Sequence, residues 1–207
     1  MKARSLIFFL PVLLMLACAS PAASTREVMP TSSITETGIG EVEAQSHPLS
    51  TRTGIPDIDV VLDAVESGDP NALHELFRYT RTSCTNAEGL GGPPKCRDGE
   101  AAGTMVEVLP FLGPEGSFLR VDEVGDFPGL NVTGLYAVYQ VSEKAYSDED
   151  YPAGEYAAIF VSDSNLSTVI LQITEGGIVR IDYVFDPETL KTIVERDASG
   201  LILPPGA

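Results

Sequence analysis

The stretch Thr168–Phe185, TVILQITEGGIVRIDYVF, decides the fold of this chain. Two apolar runs, Thr168 to Thr174 and Ile178 to Phe185, are separated by Glu175-Gly176-Gly177. Hydrophobic side chains recur with a period of two, as they do in β-strands. Glycines between two such runs are typical of a short hairpin turn. We therefore predict two antiparallel strands joined by a tight turn.

The period of two begins much earlier in the chain, after the third cysteine, Cys96. It predicts four further strands, at Thr104–Leu109, Ser117–Val121, Leu135–Val141 and Tyr156–Val161. With the hairpin, these strands are expected to form one curved antiparallel β-sheet.

A helical period precedes the strands. In the stretch IPDIDVVLDAVESGDP, which begins at Ile55, four apolar residues follow the spacing i, i+3, i+4, i+7, namely Ile58, Val61, Leu62 and Val65. This spacing predicts an amphipathic helix, and Gly68 is a typical residue after a helix end.

Two Asp-Pro pairs mark the starts of two more helices. Asp favours the N-cap and Pro the first helical position, so Asp69-Pro70 and Asp186-Pro187 each predict a helix start. The expected core residues are Leu73, Leu76 and Phe77 in the first of these helices, and Leu190, Ile193 and Val194 in the short C-terminal one. The fold class predicted is α+β, with helices packed on one face of the sheet.

This pattern resembles the NTF2-like (SnoaL-like) superfamily. The residues that carry the resemblance are Gly68, Asp69, Leu73 and Phe77 near the first helix break, and Gly176, Gly177, Ile178 and Arg180 on the late strand. The resemblance implies a conical pocket, in which enzymes of the superfamily use an Asp–His pair or an Asp with a Tyr.

Arg180 and Asp182 are the candidate pocket residues. Alternation places them on one face of a strand, together with Ile178 and Val184. They are either an exposed ion pair or a pocket carboxylate with its counter-ion. His74, the single histidine of the predicted domain, falls on the polar face of the second helix, which favours a surface role over catalysis.

The N-terminus has the features of a secretory signal peptide at residues 1–17. Lys2 and Arg4 precede an apolar run, Leu6 to Ala17, that is too short for a membrane span. Met15-Leu16-Ala17-Cys18 resembles the lipobox of bacterial lipoproteins, which implies that Cys18 is lipidated and anchors the chain to a membrane. Ordinary signal cleavage after residue 19 or 23 is the alternative.

Residues 18–54 are rich in Ser, Thr, Pro, Glu and Gly and contain no aromatic residue. Such a composition buries too little apolar surface to offset chain entropy. We therefore predict a disordered tether over 18–54 and a single folded domain over 55–207.

Cys84 and Cys96 bracket a loop of Gly and Pro residues, CTNAEGLGGPPKC. Export to an oxidising compartment favours a disulfide between them, and two free thiols in a reducing compartment are the alternative. The loop resembles a feature of bacterial lipoproteins that have no assigned activity. It could present Leu90 and Pro93-Pro94 to a partner.

The composition excludes some classes of function. The formal net charge is −17, which repels nucleic-acid backbones. The sequence lacks a Walker loop and the patterns G-x-S-x-G, HExxH and the EF-hand, so no cofactor and no metal is predicted. Asp148-Glu149-Asp150 is interpreted as a solvated connector, with loose calcium binding as the alternative.

These observations leave three hypotheses. The leading one is a lipid-anchored extracytoplasmic module that binds an unknown protein or small molecule without catalysis. The second is a small-molecule enzyme with an NTF2-like pocket, and the third is a structural protein of the cell envelope. A cavity around Asp182 would favour the enzyme, and Asp182 in solvent beside a filled sheet face would favour the binding module.

Overall fold

A computed structural model describes residues 46–89, 91–113, 115–162 and 168–206. The described helices are α1 (Pro56–Ser67), α2 (Pro70–Leu76) and α3 (Pro187–Arg196). The described strands are β1 (Thr80–Ser83), β2 (Met105–Leu112), β3 (Ser117–Arg120), β4 (Val132–Gln140), β5 (Tyr156–Ser162), β6 (Thr168–Thr174), β7 (Gly177–Val184) and β8 (Leu201–Leu203). Two short 3₁₀ helices cover Val121–Asp126 and Ala198–Gly200.

The predicted hairpin is confirmed. β6 and β7 pair antiparallel, and Thr174 lies opposite Gly177, so the loop consists of Glu175 and Gly176. Both loop residues have positive φ, 49° and 69°, as a two-residue turn between twisted strands requires. Gly177 is also needed for packing, because a Cβ atom there would lie 2.5 Å from the Arg78 side chain.

The sheet is mixed, which corrects the prediction of an antiparallel one. Its strand order is β1-β2-β7-β6-β5-β4-β8, with β3 paired to β2. β2 and β7 run parallel, with Phe111 opposite Ile181 and Leu112 opposite Asp182. A period of two shows that a segment is a strand but not which strand it pairs with. Parallel neighbours need a long connection, and here β3 to β6 lie between them in the sequence.

The helices lie on both faces of the sheet, which corrects the prediction of one face. The four predicted apolar residues of α1 are buried in a cluster that also contains Val169, Leu171 and Ile173 of β6. Leu190 of α3 belongs to a second cluster, with Ile170 of β6 and Tyr139 of β4. Neighbouring residues of β6 point to opposite faces, so α1 and α3 cover opposite sides.

Both predicted Asp-Pro helix starts are confirmed. Asp69 and Asp186 are N-caps whose side chains accept hydrogen bonds from the backbone N–H groups of Asn71 and Thr189, respectively. Each cap of this type contributes about 1 kcal/mol to stability.

Ordered contacts begin before residue 55, so the tether prediction is wrong for residues 46–54. His47 exchanges two backbone hydrogen bonds with Leu135 of β4. Arg52 forms ion pairs with Asp63 and Glu66 on α1. A polar segment can be ordered by hydrogen bonds to a neighbouring strand and helix, which composition does not reveal. Residues 1–17, Cys18 and the tether as far as residue 45 lie outside the described residues.

None of the described helices combines the length and apolar character that a membrane span requires.

Candidate functional site

Arg180 and Asp182 lie on the face of β7 that α3 covers. Asp182 is opposite Ile170, and Arg180 is opposite Gln172. A register shift follows Gln172 and turns Ile178 to the other face, into the cluster of α1. The expectation that Ile178 shares a face with Arg180 was therefore wrong.

The two residues form a buried ion pair. The exposed fraction is 2% for Arg180 and 8% for Asp182, which contradicts the interpretation as an exposed pair. Nε of Arg180 donates to Oδ1 of Asp182 at 2.6 Å, and Nη2 donates to Oδ2 at 3.0 Å. Such a bidentate arrangement is the strong form of a charged hydrogen bond.

Gln172 completes the set of donors around Asp182. Its Nε2 donates to Oδ2 of Asp182 at 2.9 Å, and its Oε1 accepts from the backbone N–H of Gly154 at 3.1 Å. Both carboxylate oxygens of Asp182 are thus occupied by donors of the protein. A carboxylate held in this way is poorly suited to take a proton from a substrate.

Arg180 also holds the connection between β4 and β5. Its Nη1 donates to the carbonyl oxygens of Tyr151 at 2.8 Å and Tyr146 at 3.1 Å. Within this connection, Oδ1 of Asp148 accepts from the backbone N–H groups of Asp150 and Tyr151. The Tyr146 hydroxyl donates to Asp148, which lowers the pKa of this carboxyl group and raises that of the phenol.

Asp148 and Asp150 of the acidic stretch are thus engaged in local hydrogen bonds. Asp150 accepts a further hydrogen bond from the hydroxyl of Thr82 on β1. Among the described residues, the one cluster with cation-ligand geometry is Cys84, Cys96 and Glu100. Its two sulfur atoms are bonded to each other, so neither is a thiolate ligand.

A cavity of about 220 Å³ lies beside the ion pair, between the sheet and α3. β6 and β7 contribute Ile170, Gln172, Arg180, Asp182, Tyr183 and Val184 to its lining. α3 contributes Thr189, Ile193 and Arg196, β4 contributes Tyr139, and the connection between β4 and β5 contributes Ala145 and Tyr146. We call it the α3 cavity.

Tyr139 is a buried polar group without a partner. Its exposed fraction is 0%, and its hydroxyl forms no hydrogen bond with any described residue. Burial raises the pKa of the phenol, and the charge of Asp197 raises it further. The hydroxyl therefore keeps its proton and remains a donor.

A second ion pair lies close to Tyr139. Arg196, in the last turn of α3, donates from Nε to Oδ2 of Asp197 at 2.9 Å. Asp197 is completely buried and accepts from the backbone N–H of Ser142 at 3.0 Å. The Arg196–Asp197 pair therefore holds the start of the connection between β4 and β5 at Ser142, and the Arg180–Asp182 pair holds its middle at Tyr146 and Tyr151.

His74 is far from this arrangement in the fold. It packs against Phe77 and Phe127 on the α1 side, and its Nε2 lies 3.3 Å from the carbonyl oxygen of Phe127. Asp182 faces the other side of the sheet. The Asp–His pair implied by the NTF2-like resemblance is therefore not formed by these two residues.

The cysteine loop forms a separate feature at the β1 edge of the sheet. The sulfur atoms of Cys84 and Cys96 are at bonding distance, 2.00 Å. Arg120, with 7% of its surface exposed, donates to Glu100 at 2.7 and 2.8 Å and to the carbonyl oxygen of Lys95 at 2.8 Å. The hydrogen bond to Arg120 lowers the pKa of Glu100 to about 2.

Pro93 and Pro94 line a groove of about 440 Å³ with Phe118 of β3. Leu90, which was predicted to contact a partner together with the prolines, lies outside the described residues.

Sequence reasoning missed Tyr139, Gln172 and Arg196. In LYAVYQV, Tyr139 has the spacing of an ordinary core aromatic residue. Gln172 did give a signal, because it is the one amide in the apolar run TVILQIT, and a buried amide needs polar partners. Arg196 in the last helical turn has the usual pattern of a surface charge.

Comparison of this chain with protein-family models, with curated proteins and with solved structures found no significant match.

Proposed function

We propose that this protein is a lipid-anchored extracytoplasmic module that binds a small molecule in the α3 cavity and does not transform it. Anchoring through Cys18 follows from the signal-peptide pattern and the lipobox resemblance, and both remain predictions. The NTF2-like resemblance is likewise kept as a hypothesis about the fold family.

The observation that carries the proposal is the state of Asp182 beside the cavity. From the sequence, Asp182 is expected either in an enclosed cavity or in solvent beside a filled sheet face. In the structure Asp182 is buried next to a cavity, but protein donors occupy both of its oxygens. This supports a site that recognises a molecule through a fixed polar wall, and it weighs against a general base.

The lining of the α3 cavity has the composition of a binding site. Apolar side chains such as Ile170, Val184 and Ile193 alternate with a few polar groups held in fixed positions. Small-molecule sites in proteins are typically mostly apolar with a small number of placed polar groups. The usual volume of such sites begins near 300 Å³. The α3 cavity, at about 220 Å³, is smaller and therefore suits only molecules below the size of a typical ligand.

A thermal-shift screen of the full chain against small metabolites tests the proposal. A ligand at about 100 times its dissociation constant stabilises the folded state by roughly 2.7 kcal/mol. At roughly 2–4 °C per kcal/mol, this raises the midpoint by about 5–11 °C. Each compound that raises the midpoint is then incubated with the protein and analysed by mass spectrometry.

A matched pair of variants locates the binding. Thr189 is exposed on α3 and lines the α3 cavity, whereas Thr192 is exposed on the same helix and does not. Thr189→Trp should fill the cavity mouth and abolish the shift, and Thr192→Trp should preserve it. A shift that survives in Thr189→Trp would place the binding elsewhere, and a compound that is converted by the protein would overturn the non-catalytic part.

A further inference from the structure

The polar wall of the α3 cavity carries no net charge. Arg180 and Asp182 form one ion pair. Arg196 pairs with Asp197, which is completely buried and does not itself line the cavity. The two positive charges therefore cancel the two negative ones. A charged molecule that enters the cavity gives up part of its hydration and meets no unpaired opposite charge among the described lining residues, which is unfavourable.

The polar atoms inside the cavity are also matched with one another. Both oxygens of Asp182 and both polar atoms of the Gln172 amide take part in hydrogen bonds. Nε, Nη1 and Nη2 of Arg180 all donate to other groups of the protein. The Tyr139 hydroxyl is fully enclosed, so a molecule in the cavity does not reach it. The inner wall therefore offers a ligand few hydrogen bonds.

The free polar groups of the lining lie at the mouth of the cavity, where the lining residues are accessible to water. Thr189 is exposed, and only its backbone N–H takes part in a hydrogen bond among the described residues. The Arg196 side chain is 26% exposed, and its Nη1 donates to no acceptor in the described part of the chain. A ligand can therefore place one polar group at the mouth, while the rest of the molecule lies deeper.

Apolar side chains supply most of the remaining lining that a ligand can contact. Leu112 and Ile193 are partly exposed, Val184 lies deeper, and Tyr146 is exposed at the mouth. An apolar group that displaces poorly ordered water from such a surface gains free energy. The ring of Tyr146 adds a preference for a flat aromatic ligand, because aromatic rings pack favourably against each other.

The volume of the cavity limits the ligand to about one ring. An apolar cavity of about 150 Å³ accommodates benzene, which has six heavy atoms. By the same ratio, about 220 Å³ accommodates roughly nine heavy atoms. A single ring with a short substituent therefore fills the space, and a fused two-ring system with the same substituent exceeds it.

We propose that the α3 cavity binds an uncharged aromatic molecule of single-ring size, whose ring lies against Val184 and Ile193 and whose one polar group points to the mouth. The fixed polar wall then selects by excluding ions, since its own charges are already paired. The inference rests on the proposed function, because it names the class of molecule that the binding module captures. Binding is reversible, and no covalent bond forms or breaks.

Titration calorimetry of the full chain tests the charge and polarity of the ligand with four probes. Benzyl alcohol, benzylammonium and benzoate share one ring and differ in charge, and glycerol is uncharged but has no apolar part. We expect benzyl alcohol to bind and both ions to bind at least tenfold more weakly, because each ion loses hydration without gaining a counter-charge. Glycerol should show no measurable binding, because it leaves the apolar lining unmatched.

A matched pair of variants on α3 tests where the ring lies. Ile193 lines the cavity, whereas Val194 packs against the same cluster without lining it. Ile193→Ala should enlarge the cavity and relieve the overpacking that a larger ligand causes. 2-Naphthylmethanol should then gain at least tenfold in affinity relative to benzyl alcohol, and Val194→Ala should leave this ratio unchanged.

Thermal melts of both variants show whether they fold. If Ile193→Ala does not fold, the exposed pair Thr189→Trp and Thr192→Trp gives the second test. Thr189→Trp should abolish the binding of benzyl alcohol, and Thr192→Trp should preserve it.

The outcomes separate the inference from the proposed function. If benzoate, benzylammonium or glycerol binds as tightly as benzyl alcohol and is blocked by Thr189→Trp, the uncharged aromatic class is overturned and the binding module stands. Benzyl alcohol binding that survives Thr189→Trp, or an unchanged affinity ratio in folded Ile193→Ala, would also overturn the inference. If no probe binds while other compounds give shifts that Thr189→Trp abolishes, the inference about the ligand class alone fails. If no compound of any class gives such a shift, both fail.

Discussion

Replacing Asp182 by Asn tests whether the buried ion pair stabilises the domain or serves as a reactive group. The substitution keeps the shape of the side chain and removes its charge. The charged guanidinium of Arg180 then remains buried, and its partners are only two carbonyl oxygens and the new amide. Breaking a buried pair by removing one partner costs about 3–5 kcal/mol.

The expected loss of stability is large enough to measure by circular dichroism. For a domain of this size, 1 kcal/mol corresponds to roughly 2–4 °C in the melting midpoint. Asp182→Asn should therefore lower the midpoint of the full chain by roughly 6–20 °C. The matched control is Asp63→Asn, which removes an ion pair to Arg52 from a side chain that is 67% exposed. It should cost no more than about 1 kcal/mol.

A double-mutant cycle isolates the interaction itself. Arg180→Met combined with Asp182→Asn removes both charges, so the double variant should lose less stability than the sum of the two single variants. The coupling expected for contacting residues is about 0.5–3 kcal/mol. If Asp182→Asn melts within about 2 °C of the unmodified chain, or if the two effects add, the pair is not the structural element inferred here.

Three further predictions concern the cysteines and the cysteine loop. Cys84→Ser with Cys96→Ser should cost about 3 kcal/mol in urea unfolding, because the bond joins positions 12 apart and restricts the unfolded chain; an unchanged midpoint would contradict this. Arg120 lowers the pKa of Glu100 from 4.5 to about 2. The interaction between the Glu100 carboxylate and Arg120 therefore contributes to stability above pH 4.5, and this contribution is lost as the pH falls towards 2. Glu100→Gln should flatten the stability curve in that window, and an unaltered curve would refute the assignment. Mass spectrometry of the mature protein should find a diacylglyceryl group on Cys18 at the N-terminus, and an unmodified terminus beyond residue 18 would end the lipoprotein hypothesis.

Local patterns predicted most of the helices and strands because their signals lie within a few residues. The hairpin turn at Glu175-Gly176, the N-caps Asp69 and Asp186 and the apolar stripe of α1 all appear where the sequence places them. β1 and β8 were not predicted, because strands of four and three residues are too short to show a period.

These local patterns could not predict which strands pair with each other or which face of the sheet each helix covers. The parallel pairing of β2 with β7 joins segments about 70 positions apart, and nothing local specifies it. The register shift after Gln172 was also unpredictable from local sequence. This single irregularity turns Ile178 to the face opposite the one that alternation predicts. A change of one residue in register reverses every side chain beyond it.

The candidate site depends on both of these features. The sequence singled out Arg180 and Asp182 from their types and their spacing, and they do face one side together. They are buried because α3 crosses that face of the sheet. The amphipathic pattern of α3 does not specify which face the helix covers. Tyr139, Gln172 and Arg196 come from three other elements, so only the assembled sheet brings them to the same cavity.

The position of the ion pair also explains why a costly arrangement occurs in an apolar sheet. Replacing a buried pair by well-packed apolar residues is often neutral or stabilising, so stability alone gives little reason for Arg180 and Asp182. The pair does something that apolar residues cannot do. Asp182 fixes the guanidinium, and the remaining amino group of Arg180 binds the carbonyl oxygens of Tyr146 and Tyr151. Because Tyr146 lines the α3 cavity, the pair sets the position of its rim. The pair thus holds the connection between β4 and β5 against the sheet, a task that needs the fixed donors of a guanidinium and that the proposed binding function would use to keep the cavity rim in place.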